Sequence, residues 1–185
     1  MRVPQRGDRD ALARLFTTRG GWLAARGLAA ETVHPAVAAQ PEALGSVQGN
    51  WLLWEDKALI GYIDLWPLTL GVGWTPQERA ERALTVLNLY THPAHRQDKP
   101  SRIMLWWALD YACGQEFACV RLLTDQDRLA RYFIHELGWE HRRTISWPRR
   151  RHLLARRAEA MPGLKALVST VQGSADPCPA LGGDV

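Results

Sequence analysis

Residues 83–113 read ALTVLNLYTHPAHRQDKPSRIMLWWALDYAC, and their pattern decides the architecture. The first nine, Ala83 to Thr91, are apolar enough for a strand in the middle of a sheet. His92-Pro93 breaks the run, and a polar, mostly basic loop follows. Pro100 and Ser101 then open a helix that reaches about Cys113, with Met104, Leu105, Ala108, Leu109 and Ala112 on one face. Gly114 stops that helix. A buried strand, a short loop and an amphipathic helix in this order predict helices packed on a sheet.

Downstream, Phe117 to Thr124 (FACVRLLT) predicts a fourth strand. Asp125 or Asp127 caps a second helix whose stripe is Leu129, Ala130, Phe133, Ile134 and Leu137, closed by Gly138. Trp139 to Trp147 reads as a last strand. Upstream, Val47 to Glu55 and Ala58 to Trp66 pair as a hairpin across Asp56-Lys57. Pro67 to Arg82 is a polar insertion. Asp8 to Ala39 reads as two helices, interrupted by Gly20-Gly21 and Gly27. Beyond Pro148 the pattern gives a basic helix, Arg149 to Ala160, and a weaker one, Leu164 to Val171. The tail from Gly173 has the composition of a disordered end. The expected class is therefore α/β (α+β), a mixed, mostly antiparallel sheet flanked by helices. The expected domains are residues 1–148 as the folded unit, 149–172 as a basic helical extension and 173–185 as tail.

With 185 residues, 46% of them hydrophobic and 23% charged, the chain has the balance of one globular domain. No uncharged stretch approaches the ~20 residues that span a bilayer, so no membrane partner is expected. Met1 to Arg6 has no apolar run behind it, and the three cysteines form no C-x-x-C pair. Both features lead to the expectation of a reducing cytoplasm and no bound metal. The net charge is +4, yet His141 to Arg157 holds seven arginines and no acid, so the remainder carries −3. A basic segment of this kind suits nucleic acid, an anionic cofactor or an acidic partner.

The segment VLNLYTHPAHRQDKPSRIMLWWA (86–108), with DRLARYFIHELGWEHR (127–142), resembles the GCN5-related N-acetyltransferases (GNAT family). Thr91-His92-Pro93-Ala94-His95-Arg96 matches the end of the family's central strand and the first loop residue. Asp127, Ala130, Phe133, Gly138 and Trp139 fall in step with its second motif. The resemblance covers roughly residues 5 to 148. It implies acetyl-CoA or another acyl-CoA as co-substrate and a primary amine, on a small molecule or a protein, as acceptor. Carried over by position, it implies that Leu89, Tyr90 and Thr91 face the thioester. It likewise implies that Arg96, Gln97, Asp98, Lys99, Ser101, Arg102 and Asp127 surround the cofactor.

The sequence departs from the family at working positions. Lys99 and Ser101 stand at the two loop glycines, and Pro100 removes an N–H donor. Arg96, Lys99 and Arg102 supply cations that can hold phosphate through side chains instead. The family's acid tyrosine is Ile134 here; on a helical wheel Tyr132 lies roughly 200° away and His135 about 100° away. His135 is therefore the expected stand-in. The resemblance implies a base near the central strand, and the candidates are Asn88 on it, Asp64 on the hairpin, and Glu78 or Glu81 in the insertion. His92 and His95 read as loop residues. Trp54, Trp66 and Trp74 lie where the family builds its acceptor side, which points to an aromatic or cationic acceptor. The competing reading is an inactive acyltransferase-like binding or regulatory module, associating with nucleic acid through its late arginines. Monomer and homodimer both remain open.

Overall fold

The computed structural model describes residues 1–28, 49–69, 73–146 and 150–169. Among the described residues, helix α1 (Arg9–Ala24) precedes the hairpin β1 (Asn50–Glu55) and β2 (Ala58–Trp66). A five-residue helix, α2 (Pro76–Ala80), leads into β3 (Ala83–Thr91) and a 3-10 turn, Pro93–Asp98. Then come α3 (Pro100–Gly114), β4 (Cys119–Thr124), α4 (Asp127–Leu137), β5 (Glu140–Ile145) and β6 (Arg151–Arg157). A last 3-10 turn, Pro162–Ala166, follows. The six strands form one sheet in the order β1-β2-β3-β4-β6-β5. Every neighbouring pair is antiparallel except β3 and β4, which α3 joins as a parallel crossover. The expected mixed, mostly antiparallel sheet is what the chain forms.

The two faces of the sheet have separate cores. Met104, Leu105, Ala108, Leu109 and Ala112 of α3 and Ala130, Phe133 and Leu137 of α4 pack on Leu84, Val86, Val120, Leu122 and Leu154. On the opposite face, Leu12 and Leu15 of α1 meet Leu52, Leu59, Tyr62 and Tyr90. Gly138 ends α4 in the left-handed conformation, φ +67°, and lets the Trp139 N–H return to the Phe133 carbonyl at 3.0 Å.

Two sequence readings change. Gly20-Gly21 do not interrupt α1, which runs on to Ala24 because Leu12, Leu15 and Leu23 hold its buried side. The residues expected to form a second helix, up to Ala39, lie outside the described ones from position 29. The larger correction is that Arg151–Arg157 is a strand and not a basic helix. Leu153 and Leu154 are both buried, one on each face, so the segment lacks the alternation that betrays a strand. Ladders to β4 on one edge and β5 on the other override the helix preference of Leu, Ala and Arg. The folded unit therefore does not stop at residue 148. The weaker late helix is the short turn Pro162–Ala166, and the tail from 173 lies outside the described residues.

Candidate active site

The site begins with one extra residue. Asp64 on β2 pairs with Asn88 on β3, but the next pair is Leu65 with Val86, so Leu87 is a bulge. Val86 is also the last residue of β3 paired with β4, opposite Leu122. Past it the parallel strands part. The His92 N–H donates to the Ile60 carbonyl at 2.9 Å. Strand alternation then turns the N–H groups of Leu89 and Thr91 away from β2, toward the gap.

That gap is a cavity of about 490 Å³ whose walls include Asn88, Leu89 and Thr91 of β3, Leu122 and Thr124 of β4, and Tyr132 of α4. A second hollow of about 400 Å³ adjoins it, edged by Arg96, Lys99, Pro100, Gln126 and Arg128. Thr91, Ser101, Leu129 and Tyr132 line both, so the two are arms of one cleft. One arm is cationic, with Arg96, Lys99 and Arg128 at the N-terminal ends of α3 and α4. The other runs between the strands, with Leu89, Leu122, Leu129 and Phe133 set among Asn88, Thr91, Thr124 and Arg151.

The loop takes a left-handed turn just before α3. Lys99 has φ +51°, the left-handed conformation that glycine adopts freely, and serves as the N-cap of α3 without a side-chain cap bond. Arg102 N–H turns back to the Lys99 carbonyl at 2.9 Å, while Pro100 has no N–H to offer. Asp98 does not cover the hollow; it pairs with His95 at 3.6 Å, and His95 also meets Glu55 at 3.2 Å. Gln97 is exposed and lines neither arm. Arg102 stacks on Trp106, 5.4 Å from the ring centre, and reaches toward Glu136 at 4.0 Å, outside both arms.

Asp64 is 6% exposed. Its carboxylate accepts from Trp66 Nε1 at 2.6 Å and from Asn88 Nδ2 at 3.1 Å, so Asn88 stands between it and the cleft. Glu78 and Glu81 are committed elsewhere. Glu78 closes the cap of α2 with Thr75 and meets Arg143 at 2.8 Å; burial opposes its ionisation, yet these partners hold its carboxyl below the ordinary value. Glu81 meets Arg121 at 2.8 Å and Arg157 at 2.7 Å. Asp127 faces β6, bonded to His152 Nε2 at 2.6 Å and Arg150 at 3.0 Å, and lines neither arm. The His152 bond chiefly lowers its pKa.

His135 lies on the exposed side of α4, away from the cleft. Tyr132 takes the place expected of it, because the cleft wraps the first turns of α4, where positions 129 and 132 share a face. Ile134 instead packs into the core. The tryptophans do not line the cleft either. Trp54 packs beside the α1 cluster under Arg2, Trp66 binds Asp64, and Trp74 is buried against Leu153 and Ala155. Sequence reasoning passed over Arg19 and Arg128 and counted Arg151 only among the late basic residues, since each is set by an element whose placement required the folded sheet. The late arginines are mostly spent inside the protein: Arg142 and Arg143 on Glu78, Arg150 on Asp127, Arg156 on Glu159 and the Leu137 carbonyl, Arg157 on Glu81. Arg149 lies outside the described residues. Among the described residues, no group of three or more His, Cys, Asp or Glu forms a metal site, and no helix is long and apolar enough to cross a membrane.

No protein-family model matches the sequence, and neither does any curated protein. Solved structures match the fold. A GNAT-family acetyltransferase from Streptococcus agalactiae superposes with a TM-score of 0.65 at 14% identity, covering 85% of this chain and 94% of that one. One from Listeria monocytogenes gives 0.63 at 13% identity, covering 84% and 92%. The PaiA N-acetyltransferase of Thermoplasma acidophilum, solved in complex with coenzyme A, gives 0.61 at 16% identity, covering 84% and 96%. Superpositions of this extent show that the chain has the fold of the GNAT acetyltransferases.

Proposed function

We propose that the protein transfers an acyl group, acetyl in the first instance, from an acyl-CoA to a primary amine. The observation that carries this reading is the two-armed cleft, cationic at the α3 and α4 N-termini and opening between the parted strands β3 and β4. Its residues fit such a co-substrate. Arg96, Lys99 and Arg128 supply three positive charges for a diphosphate, which offset the missing glycine amides. Leu89, Leu129 and Phe133 flank the narrow arm where an uncharged chain would lie.

Acyl-CoA supplies the activated acyl group as a thioester. The outward N–H groups of Leu89 and Thr91 are placed to donate to its carbonyl oxygen and favour negative charge there. The amine attacks only when neutral, and the buried Asp64 carboxylate, behind Asn88, takes its proton through water. Tyr132, at the junction of the arms, gives a proton to the departing thiolate and recovers one from solvent.

Acetyl-CoA titration with a thermal melt tests binding, since a ligand that binds only the native state raises the melting temperature. A rise of several degrees, with release of thiol in the presence of an amine panel, is expected. Tyr132→Phe should lower kcat by roughly 10- to 100-fold with little change in KM for acetyl-CoA. No melting shift at millimolar acetyl-CoA would favour a second reading, an acyltransferase-like binding module, for which the lost glycines and Pro100 speak.

A further inference from the structure

The arm between the strands has a charged end. Strand β6 alternates about the sheet: Leu154 packs under α3 and α4, whereas Leu153 and Ala155 pack with Trp74 on the other face. Arg151, two residues before Leu153, shares that second face and lines the cavity. Among the described residues its guanidinium has no carboxylate and no hydrogen-bond acceptor, although its neighbours Arg150, Arg156 and Arg157 are all paired. Opposite it, Arg19 comes down from α1. Its Nη1 donates to Thr91 Oγ1 at 3.5 Å, and its guanidinium carbon lies 5.5 Å from the Tyr90 ring centre. Among the described residues, the other charged wall residue is Asp125, exposed at the start of α4.

Asn88, with Asp64 behind it, belongs to this same face. Leu84 and Val86 point into the α3 core, and the Leu87 bulge resets the alternation so that Leu89 does too, while Tyr90 joins the α1 cluster. Asn88, two residues before Tyr90, therefore lies between the two arginines and the thioester arm. Two carboxylates, Asp64 behind Asn88 and Asp125 at the start of α4, stand near the two guanidiniums, but among the described residues neither is bonded to Arg151, so Arg151 is the group a negative charge would meet. A cationic acceptor would have to sit against the Arg151 guanidinium, and the tryptophans expected to receive one are elsewhere.

Resting on the transferase reading, we propose that the acceptor is an amine that carries a carboxylate, of the size of a free α-amino acid. Arg151, with Arg19, holds the carboxylate, and the amine points at Asn88 and Asp64. A fork of guanidinium N–H groups recognises a planar carboxylate through two parallel hydrogen bonds, which fixes the direction of the amine as well as its affinity.

Calorimetry on the full chain without acyl-CoA tests this with free L-α-amino acids, the matching amino-acid amides and spermidine. At least one free amino acid should bind on the order of tenfold more tightly than its amide. Arg151→Ala should erase that ratio, and Arg151→Lys should restore part of it. Equal binding of acid and amide, preference for spermidine, a ratio that survives R151A, or no binding by any amino acid at millimolar concentration overturns the proposal. Thiol release from acetyl-CoA with the same panel separates the two readings. Turnover confined to amides or spermidine leaves the transferase standing and removes the carboxylate; amino-acid binding without thiol release keeps the anion site and removes the transferase.

Discussion

Lys99 stands where the GNAT motif carries its first loop glycine, and its backbone has φ +51°. A side chain in that conformation costs about 1 kcal/mol or a little more, through crowding of Cβ against the backbone. The chain thus holds a lysine in a backbone conformation that glycine adopts more easily. Lys99→Ala and Lys99→Gly both delete the ammonium, but only glycine relieves the crowding. The glycine variant should therefore be more stable than the alanine variant by about 1 kcal/mol, read from urea unfolding midpoints. Equal midpoints would mean that no strain resides at this position. The substitution was visible in the sequence; the backbone angle was not, because a lysine gives no sign of the conformation it is forced into. Tyr132 illustrates the same limit. Helical angles relative to Ile134 were correctly read, but which arc of α4 the cleft touches depends on where β3 and β4 part.

At the scale of elements, the decisive feature is the bulge at Leu87 beside the last parallel pair, Val86 with Leu122. Periodicity showed Ala83 to Thr91 as a central strand with the right limits, since its apolar content is unmistakable. It did not locate the inserted residue, because Val86 and Leu87 are both apolar and suit a strand covered on both faces. Deleting Leu87 keeps the faces of every remaining residue: Val86 still points to α3, and Asn88 still opposes Asp64. The variant should fold with a melting temperature near that of the parent protein. With a regular strand, however, β3 can continue pairing along β4, and the gap should narrow. The expected outcome is loss of the acetyl-CoA-induced melting shift with native circular dichroism. A retained shift would show that the opening does not depend on the bulge. The reading of β6 as a helix failed for a related reason, since a strand buried on both faces has no period of two to display.

Across the whole molecule, the open end of the sheet is balanced by a pinned one. Ala83, Cys119 and Arg157 pair across β3, β4 and β6 at the far end, and Glu81 ties them together. It receives Arg121 at 2.8 Å, Arg157 at 2.7 Å and the Cys119 thiol at 3.4 Å, while burial pushes that thiol up to about 11. Arg121 is only 1% exposed, its cation lying 4.7 Å from the Trp74 ring centre and its Nη1 on Thr69 Oγ1 at 2.5 Å. The charge surplus that the sequence concentrates in residues 141–157 is thus largely paired within the fold, with Arg157 at this end of the sheet, which composition alone did not reveal. Burial opposes ionisation of Glu81, but Cys119, Arg157 and Arg121 outweigh it and hold its carboxyl below the ordinary 4.5. A lowered carboxyl pKa adds stability that is complete above 4.5 and disappears as pH falls through the lowered value. Glu81→Gln leaves Arg121 buried and charged, so at neutral pH it should cost about 3 kcal/mol. The difference between the two proteins should shrink steadily as the pH is taken below 4.5, because the parent loses the same charge there. Urea unfolding across that range measures it, and a gap that stays constant into strong acid would mean that the Glu81 charge is not what closes this end of the sheet.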